Sequence, residues 1–226
     1  QIPKDVKYLS VTIIKKPCGH FYASVCVEEE ILPKNKTHLK VGIDLGIKTF
    51  ATQSDKVEIA NPKFLVKSQN KLRRLQRIFS KKVKGSRRQE RFRYKIARLH
   101  ERIHNQRLHF LHSYTTELVN KYDVLVIEDL SVEAMLKNKN LSKNISDASW
   151  SLFRSLLTYK ADWYGKELIV VDRYFASSKT CGCGYIKQDL KLNDRQWVCP
   201  SCKVRNDRDL LASINILEEG LRIISV

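Results

Sequence analysis

The 226-residue sequence is short of acids, glycines and long apolar runs, and each shortage excludes something. Twenty-four Asp and Glu stand against 42 Lys and Arg, a formal charge of +18, which favours a polyanionic partner over a small neutral substrate. Nucleic acid is the leading candidate. Eight glycines, with no Gly-Gly pair, leave no glycine-rich adenosine loop. No apolar run approaches the roughly 20 residues of a membrane helix, and the opening Gln1-Ile-Pro-Lys4 lacks a secretory apolar core, so a soluble, cytoplasmic protein with no membrane partner is expected. The first residue is not Met, which suggests an N-terminally truncated or processed piece. A 42% hydrophobic content excludes wholesale disorder and suits one sizeable core with a small appended module.

What is present is a set of three acids at the edges of apolar segments. Asp44 lies in Val41-Gly-Ile-Asp-Leu-Gly46, Glu128 ends Val124-Leu-Val-Ile-Glu128, and Asp209 closes Asn206-Asp-Arg-Asp209. Carboxylates fixed at strand ends and a helix start offer hard oxygen ligands for Mg²⁺, and two such ions can clamp the attacking and leaving oxygens of a phosphodiester. The pattern reads as a nuclease. Each acid also has a plainer reading. Asp44 is compatible with a strand end bonding a backbone N–H, and its Gly-Ile-Asp-Leu-Gly setting with the phosphate turn of actin-like kinases, which the glycine shortage opposes. Asp129 competes with Glu128, but Glu128 directly follows the buried run and Asp129 reads as a turn residue. Asp209 can complete an N-cap arrangement with Asn206 ahead of an apolar face of Leu210, Ile214 and Leu217, leaving Asp207 pointing elsewhere.

Charge is concentrated between residues 63 and 121, where eighteen basic residues face Glu90, Glu101 and Glu117, carrying +15 of the +18. A solvated face usually mixes both signs, so phosphate contact is the better reading, with Lys71, Arg73, Arg74, Arg77, Arg87, Arg88 and Arg91 the candidate nucleic-acid-binding residues. The same stretch carries an apolar stripe at Leu65, Leu72, Leu75, Phe79 and Val83, a break at Gly85-Ser86, and a second stripe from Phe92 to Leu118. Two basic helices result. Before them, Tyr8–Ile14 and Phe21–Val27 form a hairpin across Pro17-Cys-Gly-His20, and Val41–Leu45, Thr49–Gln53 and Val57–Ile59 a meander. After them, Tyr122–Ile127 reads as a buried strand and Val132–Ser146 as a polar mobile loop, a candidate lid. Ser146-Asp-Ala-Ser149 caps a helix whose Trp150, Phe153 and Trp163 read as core, and Glu167–Val171 is another buried strand. This alternation implies an α/β protein with a mixed sheet flanked by helices.

Cys181-Gly-Cys183 and Cys199-Pro-Ser-Cys202 are two thiolate knuckles of the kind that close one structural Zn²⁺ site. Disulfides are the alternative, which a reducing compartment opposes. The first knuckle is one residue tighter than usual, and Gly182 and Gly184 can supply its permissive backbone. Cys18 and Cys26 read as buried free thiols.

Gly42-Ile-Asp-Leu-Gly-Ile-Lys-Thr-Phe-Ala51, Val126-Ile-Glu-Asp-Leu130, Ser146-Asp-Ala-Ser-Trp150, Ser177-Ser-Lys-Thr-Cys181 and Asn206-Asp-Arg-Asp209 occur in one order, with the cysteine ribbon before the last. In combination they closely resemble the TnpB (OrfB) family encoded by prokaryotic insertion sequences and related to type V CRISPR effectors. The resemblance implies an RNase H-like (RuvC) nuclease domain at 40–226, interrupted by the basic helical hairpin at about 63–121 and a zinc ribbon at about 177–206. Residues 1–39 would be the tail of an N-terminal, wedge-like β-barrel. It further implies RNA-guided DNA cleavage in a prokaryotic cytoplasm, with DNA and guide RNA as partners, Asp44, Glu128 and Asp209 as catalytic ligands of two Mg²⁺, and Cys181, Cys183, Cys199 and Cys202 as ligands of one Zn²⁺. Leu211 stands where the family commonly has Asn. Two alternatives differ in class: a nuclease-inactive or truncated derivative acting as an RNA-guided DNA-binding regulator, which intact acids oppose, and a generic zinc-ribbon RNA-binding module, which leaves the acid-ended strands unexplained.

Overall fold

In a computed structural model, residues 6–191 and 194–225 are described. They separate into two compact units: residues 6–32 with 63–110, and residues 33–62 with 111–191 and 194–225. Residues 33–39, which the sequence groups with the first segment, thus pack with the second unit.

The first unit holds an antiparallel ribbon, β1 (Lys7–Lys15) and β2 (Phe21–Glu28), with α1 (Phe64–Ser80) and most of α2 (Arg87–Lys121). Two strands cannot bury a core between them. Accordingly Leu9, Val11, Ile13 and Phe21 are exposed, and Cys26, expected to be buried, is exposed as well. The helical part is held by a small cluster of Leu72, Leu99 and Ile103, joined by Phe64, Leu65, Leu75 and Ile96. Val83, assigned by spacing to the apolar stripe, falls in the turn between the helices and is exposed.

The second unit is built on a five-stranded sheet in the order β5-β4-β3-β6-β7, comprising β3 (Lys40–Leu45), β4 (Thr49–Gln53), β5 (Glu58–Ala60), β6 (Val124–Glu128) and β7 (Glu167–Val171). Strands β3, β6 and β7 run parallel, while β4 and β5 pair antiparallel. The sheet is mixed, as expected. Side chains alternate faces along a strand, so Val124 and Val126 share one face of β6, and Leu125 and Ile127 the other. All four are buried, which explains why this strand is apolar throughout rather than alternating.

Helix α6 (Arg208–Ile224) packs on β3, β4, β6 and β7. Two glycines set that approach: a Cβ at Gly42 would lie 2.1 Å from the Ser213 carbonyl oxygen, and one at Gly220 would lie 2.4 Å from Val126. Buried in α6 are Leu211, Ala212, Ser213, Asn215, Ile216 and Gly220; of the Leu210, Ile214 and Leu217 read from spacing, all only partly buried, Leu217 packs against the core cluster of Val124, Val126, Ile169, Val171 and Ile216. Elsewhere in the unit Phe50, Tyr114 and Phe153 form an aromatic cluster, with Tyr114 and Phe153 stacked at 5.6 Å. The start of β6 is fixed by Asp123, which accepts backbone N–H bonds from Thr37 at 2.8 Å and His38 at 2.6 Å and pairs with Lys166 Nζ at 2.5 Å.

The stretch 132–146 is not the open loop expected. Residues 132–148 carry two short helices, α3 (Val132–Leu136) and α4 (Ser142–Ala148), the second burying Ile145, Asp147 and Ala148. Helix α5 (Trp150–Trp163) follows directly. Its N-cap Ser149 makes no side-chain capping bond and instead donates its hydroxyl to the Ser146 carbonyl at 3.0 Å. Trp150 and Phe153 are core as expected, but Trp163 is exposed, its ring edge-on to Tyr159. Among the described residues, no helix is long and apolar enough to cross a membrane.

Candidate functional site

Two of the three acids stand on neighbouring central strands of the sheet, and the third on the first turn of the helix packed across them. Asp44 is near the end of β3, Glu128 is the last residue of β6, and Asp209 lies in α6. Their charges are felt together. Asp44 is held at about 7, first by burial and then by the negative charges of Glu128 and Asp209, against a smaller pull from Arg208 and Arg195. Glu128 is likewise raised by burial, while the Ser177 hydroxyl it accepts acts in the opposite direction. The three sets of oxygens are not all within 4.8 Å of one another, unlike a closed single-ion cage.

Asp209 is engaged differently. Arg195 Nη1 reaches both its oxygens, at 2.7 and 2.8 Å, so a guanidinium from the cysteine-bearing segment covers the third acid. Capping of α6 falls to Asp207, whose side chain accepts the N–H groups of Asp209 and Leu210. The plainer reading in which Asp209 completes an N-cap arrangement with Asn206, and Asp207 points elsewhere, is therefore corrected. Asn206 sits buried in β9 (Arg205–Asp207) and directs Nδ2 to Cys181 Sγ at 3.5 Å. Asp129 forms ion pairs with Arg154 and Arg173, which hold its carboxyl below the usual range. An acid already neutralised by two guanidiniums is a poor metal ligand, and this separates Asp129 from Glu128.

Sequence reading missed two supporting residues. Ser177 donates to Glu128, and the buried Asn215 donates Nδ2 to the carbonyls of Ser177 and Thr180, both at 2.6 Å. Asn215 thus anchors the chain segment that presents Ser177. Its signal was a polar residue one turn after Leu211 on a buried helix face, visible only once that face is known.

The four cysteines converge. Their sulfurs all lie within 4.8 Å of one another, with Cys181–Cys202 and Cys183–Cys199 at 3.6 Å. Zn–S bonds of about 2.3 Å in a tetrahedron place sulfurs about 3.8 Å apart, whereas a disulfide needs about 2.05 Å, so the set fits zinc and contains no disulfide. Gly184, though not Gly182, takes the left-handed backbone of the tight knuckle. Strand β8 (Gln196–Val198) pairs with β9, and Leu190, Trp197 and Leu211 pack with Cys181 and Cys199. Leu211 therefore seats the ribbon on α6.

The seven candidate basic residues, Lys71, Arg73, Arg74, Arg77, Arg87, Arg88 and Arg91, are all exposed on the first unit's helices and the start of α2.

Residues 24–139 match the OrfB_IS605 family, described as "Probable transposase", and residues 150–216 match the "Cas12f1-like, TNB domain". The chain is 43% identical, over 97% of its length, to "Putative RNA-guided DNA endonuclease" of Streptomyces pristinaespiralis, covering 55% of that protein. It is 31% identical over its whole length to "Putative RNA-guided DNA endonuclease InsQ" of Escherichia coli K12, covering 59% of it. The chain thus spans about half the length of these curated relatives. In fold it is similar to a chain from the cryo-EM structure of the Cas12f1–sgRNA–target DNA complex, at 17% identity and a TM-score of 0.57, covering 87% of this chain and 53% of that one.

Proposed function

The chain belongs to the OrfB_IS605 (TnpB) family, and from that premise we propose that it is the nuclease portion of an RNA-guided, metal-dependent DNA endonuclease encoded by a transposable element. The observation that carries this reading is the placement of Asp44, Glu128 and Asp209 on adjoining elements, where the charges of Glu128 and Asp209 bear on the Asp44 carboxyl, a cluster of negative charge that invites cations. The sheet order supports an RNase H-like domain, since an antiparallel meander continued by parallel strands on one side is that fold's arrangement.

Hard oxygen donors without a soft ligand suit Mg²⁺, and three carboxylates brought in by separate elements can be shared between two such ions. Bound there, two Mg²⁺ would activate a water and stabilise the leaving 3′ oxygen. The protein's own part is placement. Asp44 presents its carboxylate from the central strand β3, and its neutral fraction near pH 7 must be emptied before it can bind a cation. Ser177 fixes one oxygen of Glu128 and leaves the other available. Asp209 must exchange the Arg195 guanidinium, at least in part, for a metal. No protein nucleophile is needed.

Cys181, Cys183, Cys199 and Cys202 would hold one structural Zn²⁺, keeping the ribbon closed and Arg195 beside Asp209. The exposed basic residues of the helical pair would contact nucleic-acid phosphates. The apolar, uncovered ribbon β1–β2 is proposed as the tail of a wedge-like barrel.

The test is cleavage of a target duplex by the whole protein supplied with Mg²⁺ and a guide RNA transcribed from the end of its element. Asp44→Ala and Glu128→Ala should each lower cutting by at least about a thousandfold while leaving guide binding intact. Equal cutting by the variants would refute the metal–carboxylate mechanism. For the basic helices, charge removal at Arg73, Arg74 and Arg77 should flatten the salt dependence of nucleic-acid binding.

A further inference from the structure

The hairpin turn of the first unit carries a second convergence of metal-ligating groups, independent of the ribbon and of the acids. Cys18 Sγ, a ring nitrogen of His20 and a carboxylate oxygen of Glu101 all lie within 4.8 Å of one another. Cys18 and His20 flank Gly19 in the turn between β1 and β2, which is closed by the Lys16 N–H bonding the His20 carbonyl at 2.8 Å. Glu101 reaches them from α2. We propose that Cys18, His20 and Glu101 form a second transition-metal site, taking Zn²⁺ or a chemically similar divalent ion and fastening the hairpin turn to α2.

The donor set decides the ion class. One thiolate, one imidazole and one carboxylate exclude Mg²⁺ as a preferred occupant and match the mixed sulfur, nitrogen and oxygen ligands of zinc. Cys18 is only 1% exposed, so an ion on its sulfur is shielded on that side. An orienting contact is also present: the Tyr22 hydroxyl donates to Glu101 Oε1 at 2.8 Å, the kind of outer partner that fixes a ligating carboxylate. His20 Nδ1 stands 2.8 Å from Glu101 Oε2, a direct contact that the ion would replace. Binding would displace the thiol proton of Cys18 to solvent and require the His20 proton on Nε2, leaving Nδ1 bare. Thiolate and carboxylate then balance the ion's two positive charges. Three protein ligands leave one tetrahedral position for water, and Cys18 and Glu101 both line a groove of about 850 Å³ from which it can be supplied.

Two competing arrangements use the same residues. His100-Glu101-Arg102-Ile103-His104 spells the His-Glu-x-x-His string of zinc proteases, in which the histidines bind the metal and Glu is a base. Here, however, the group that includes Glu101 is completed by Cys18 and His20, and among the described residues neither His100 nor His104 belongs to any such group. The other competitor is a hydrogen-bonded triad with no metal, in which Glu101 simply accepts from its neighbours.

The experiment is metal loading of the purified chain with Zn²⁺ after chelation, read by elemental analysis, and with Co²⁺, read by sulfur-to-cobalt charge-transfer absorption. With excess Mg²⁺ present to occupy the carboxylate cluster, wild type should bind two transition-metal ions per chain. Cys18→Ser and His20→Ala should each bind one, with the intense four-thiolate absorption of the ribbon unchanged, which also reports that those variants are folded. Tyr22→Phe should keep both ions but weaken one about 10–100-fold. A wild-type stoichiometry of one, or two ions retained by Cys18→Ser, overturns the proposal in favour of the hydrogen-bonded triad. Loss of an ion in His100→Ala or His104→Ala, with Cys18→Ser unaffected, overturns it in favour of the protease-like string.

Discussion

The cysteine ribbon and the carboxylate cluster are both sets of metal ligands, yet they are built on opposite principles. The four sulfurs already lie close together with near-tetrahedral separations, and the surrounding Leu190, Trp197 and Leu211 hold them there. The three carboxylates are spread over two strands and a helix, with the charges of Glu128 and Asp209 bearing on Asp44 and partly answered there by Arg208 and Arg195. A ligand set that the fold closes by itself suits a structural ion. One that the fold holds apart against its own charge suits ions that must exchange with substrate. The contrast predicts that damage to the two sets moves stability in opposite directions.

The largest effect is expected at the ribbon. Zinc-finger peptides draw about 10–16 kcal/mol of apparent folding energy from one zinc ion, and a ribbon this small has little core of its own. Cys199→Ser with Cys202→Ser should abolish zinc binding by the ribbon and collapse amide protection across residues 177–206 in hydrogen exchange. Protection in β3, β6 and β7 should persist. A ribbon that stays protected without metal would break the comparison.

A second acid sharpens it from the other side. Asp123 faces the buried Lys166 and two backbone N–H groups, and these, the lysine first, hold it down at about 2. Asp123→Ala would strand the lysine, a cost of about 3–5 kcal/mol. Because its folded value lies below the unfolded one of about 3.9, the contribution is present above pH 4 and fades as pH falls toward 2. Urea midpoints at pH 7 and pH 2.5 should show a large variant effect at the first and a small one at the second.

Asp44 should behave inversely. Its folded value of about 7 lies above the unfolded one, so ionisation costs stability progressively as pH rises from about 4 to 7 and the cost is constant above. In metal-free buffer at pH 8, Asp44→Asn should therefore stabilise the chain by about 2–3 kcal/mol. Each tenfold change in proton affinity corresponds to about 1.4 kcal/mol, and burying the new amide takes part of the gain back. The gain should vanish at pH 4. Stabilisation on losing an acid is the mark of a group kept for function, and an unchanged or lowered midpoint at pH 8 would count against the proposed site.

These differences explain what was legible in the sequence. Asp44 and Glu128 could be picked out because each directly follows or ends a buried apolar run, and the knuckles because close cysteine pairs have few other uses. The strands and the mixed character of their sheet followed from the same runs and their alternation with helices, but the strand order did not. What the sequence hid depends on three-dimensional pairing: Ser177 and Asn215 support Glu128 from 49 and 87 residues away along the chain, and only the packing of α6 brings them near. Spacing picked out Leu217, which packs on the sheet core, but not Leu211, whose partners Leu190 and Trp197 belong to the ribbon and lie far from it in spacing. The stretch 132–146 looked like a loop because its Lys and Asn content masks Ile145, an apolar position that is buried in α4.

The smallest effect, and the one that joins the two regions, is at Arg195. Its guanidinium comes from the ribbon and its target is an acid of the cluster, at 2.7 and 2.8 Å. Both partners are substantially solvated, with side chains 48% and 28% exposed, so the pair is worth no more than about 1 kcal/mol to the fold. Arg195→Ala should leave thermal unfolding nearly unchanged. For metal binding at Asp209 the guanidinium is a competitor for the same oxygens, and its removal should lower the Mg²⁺ concentration for half-maximal cutting by a few-fold, about what 1 kcal/mol supplies. If the arginine instead also stabilises charge developing on the phosphate, the maximal rate will fall while the Mg²⁺ midpoint stays put. A midpoint that rises would mean that Arg195 holds Asp209 in its binding position, and the ribbon would then be part of the catalytic apparatus rather than a neighbour that covers it.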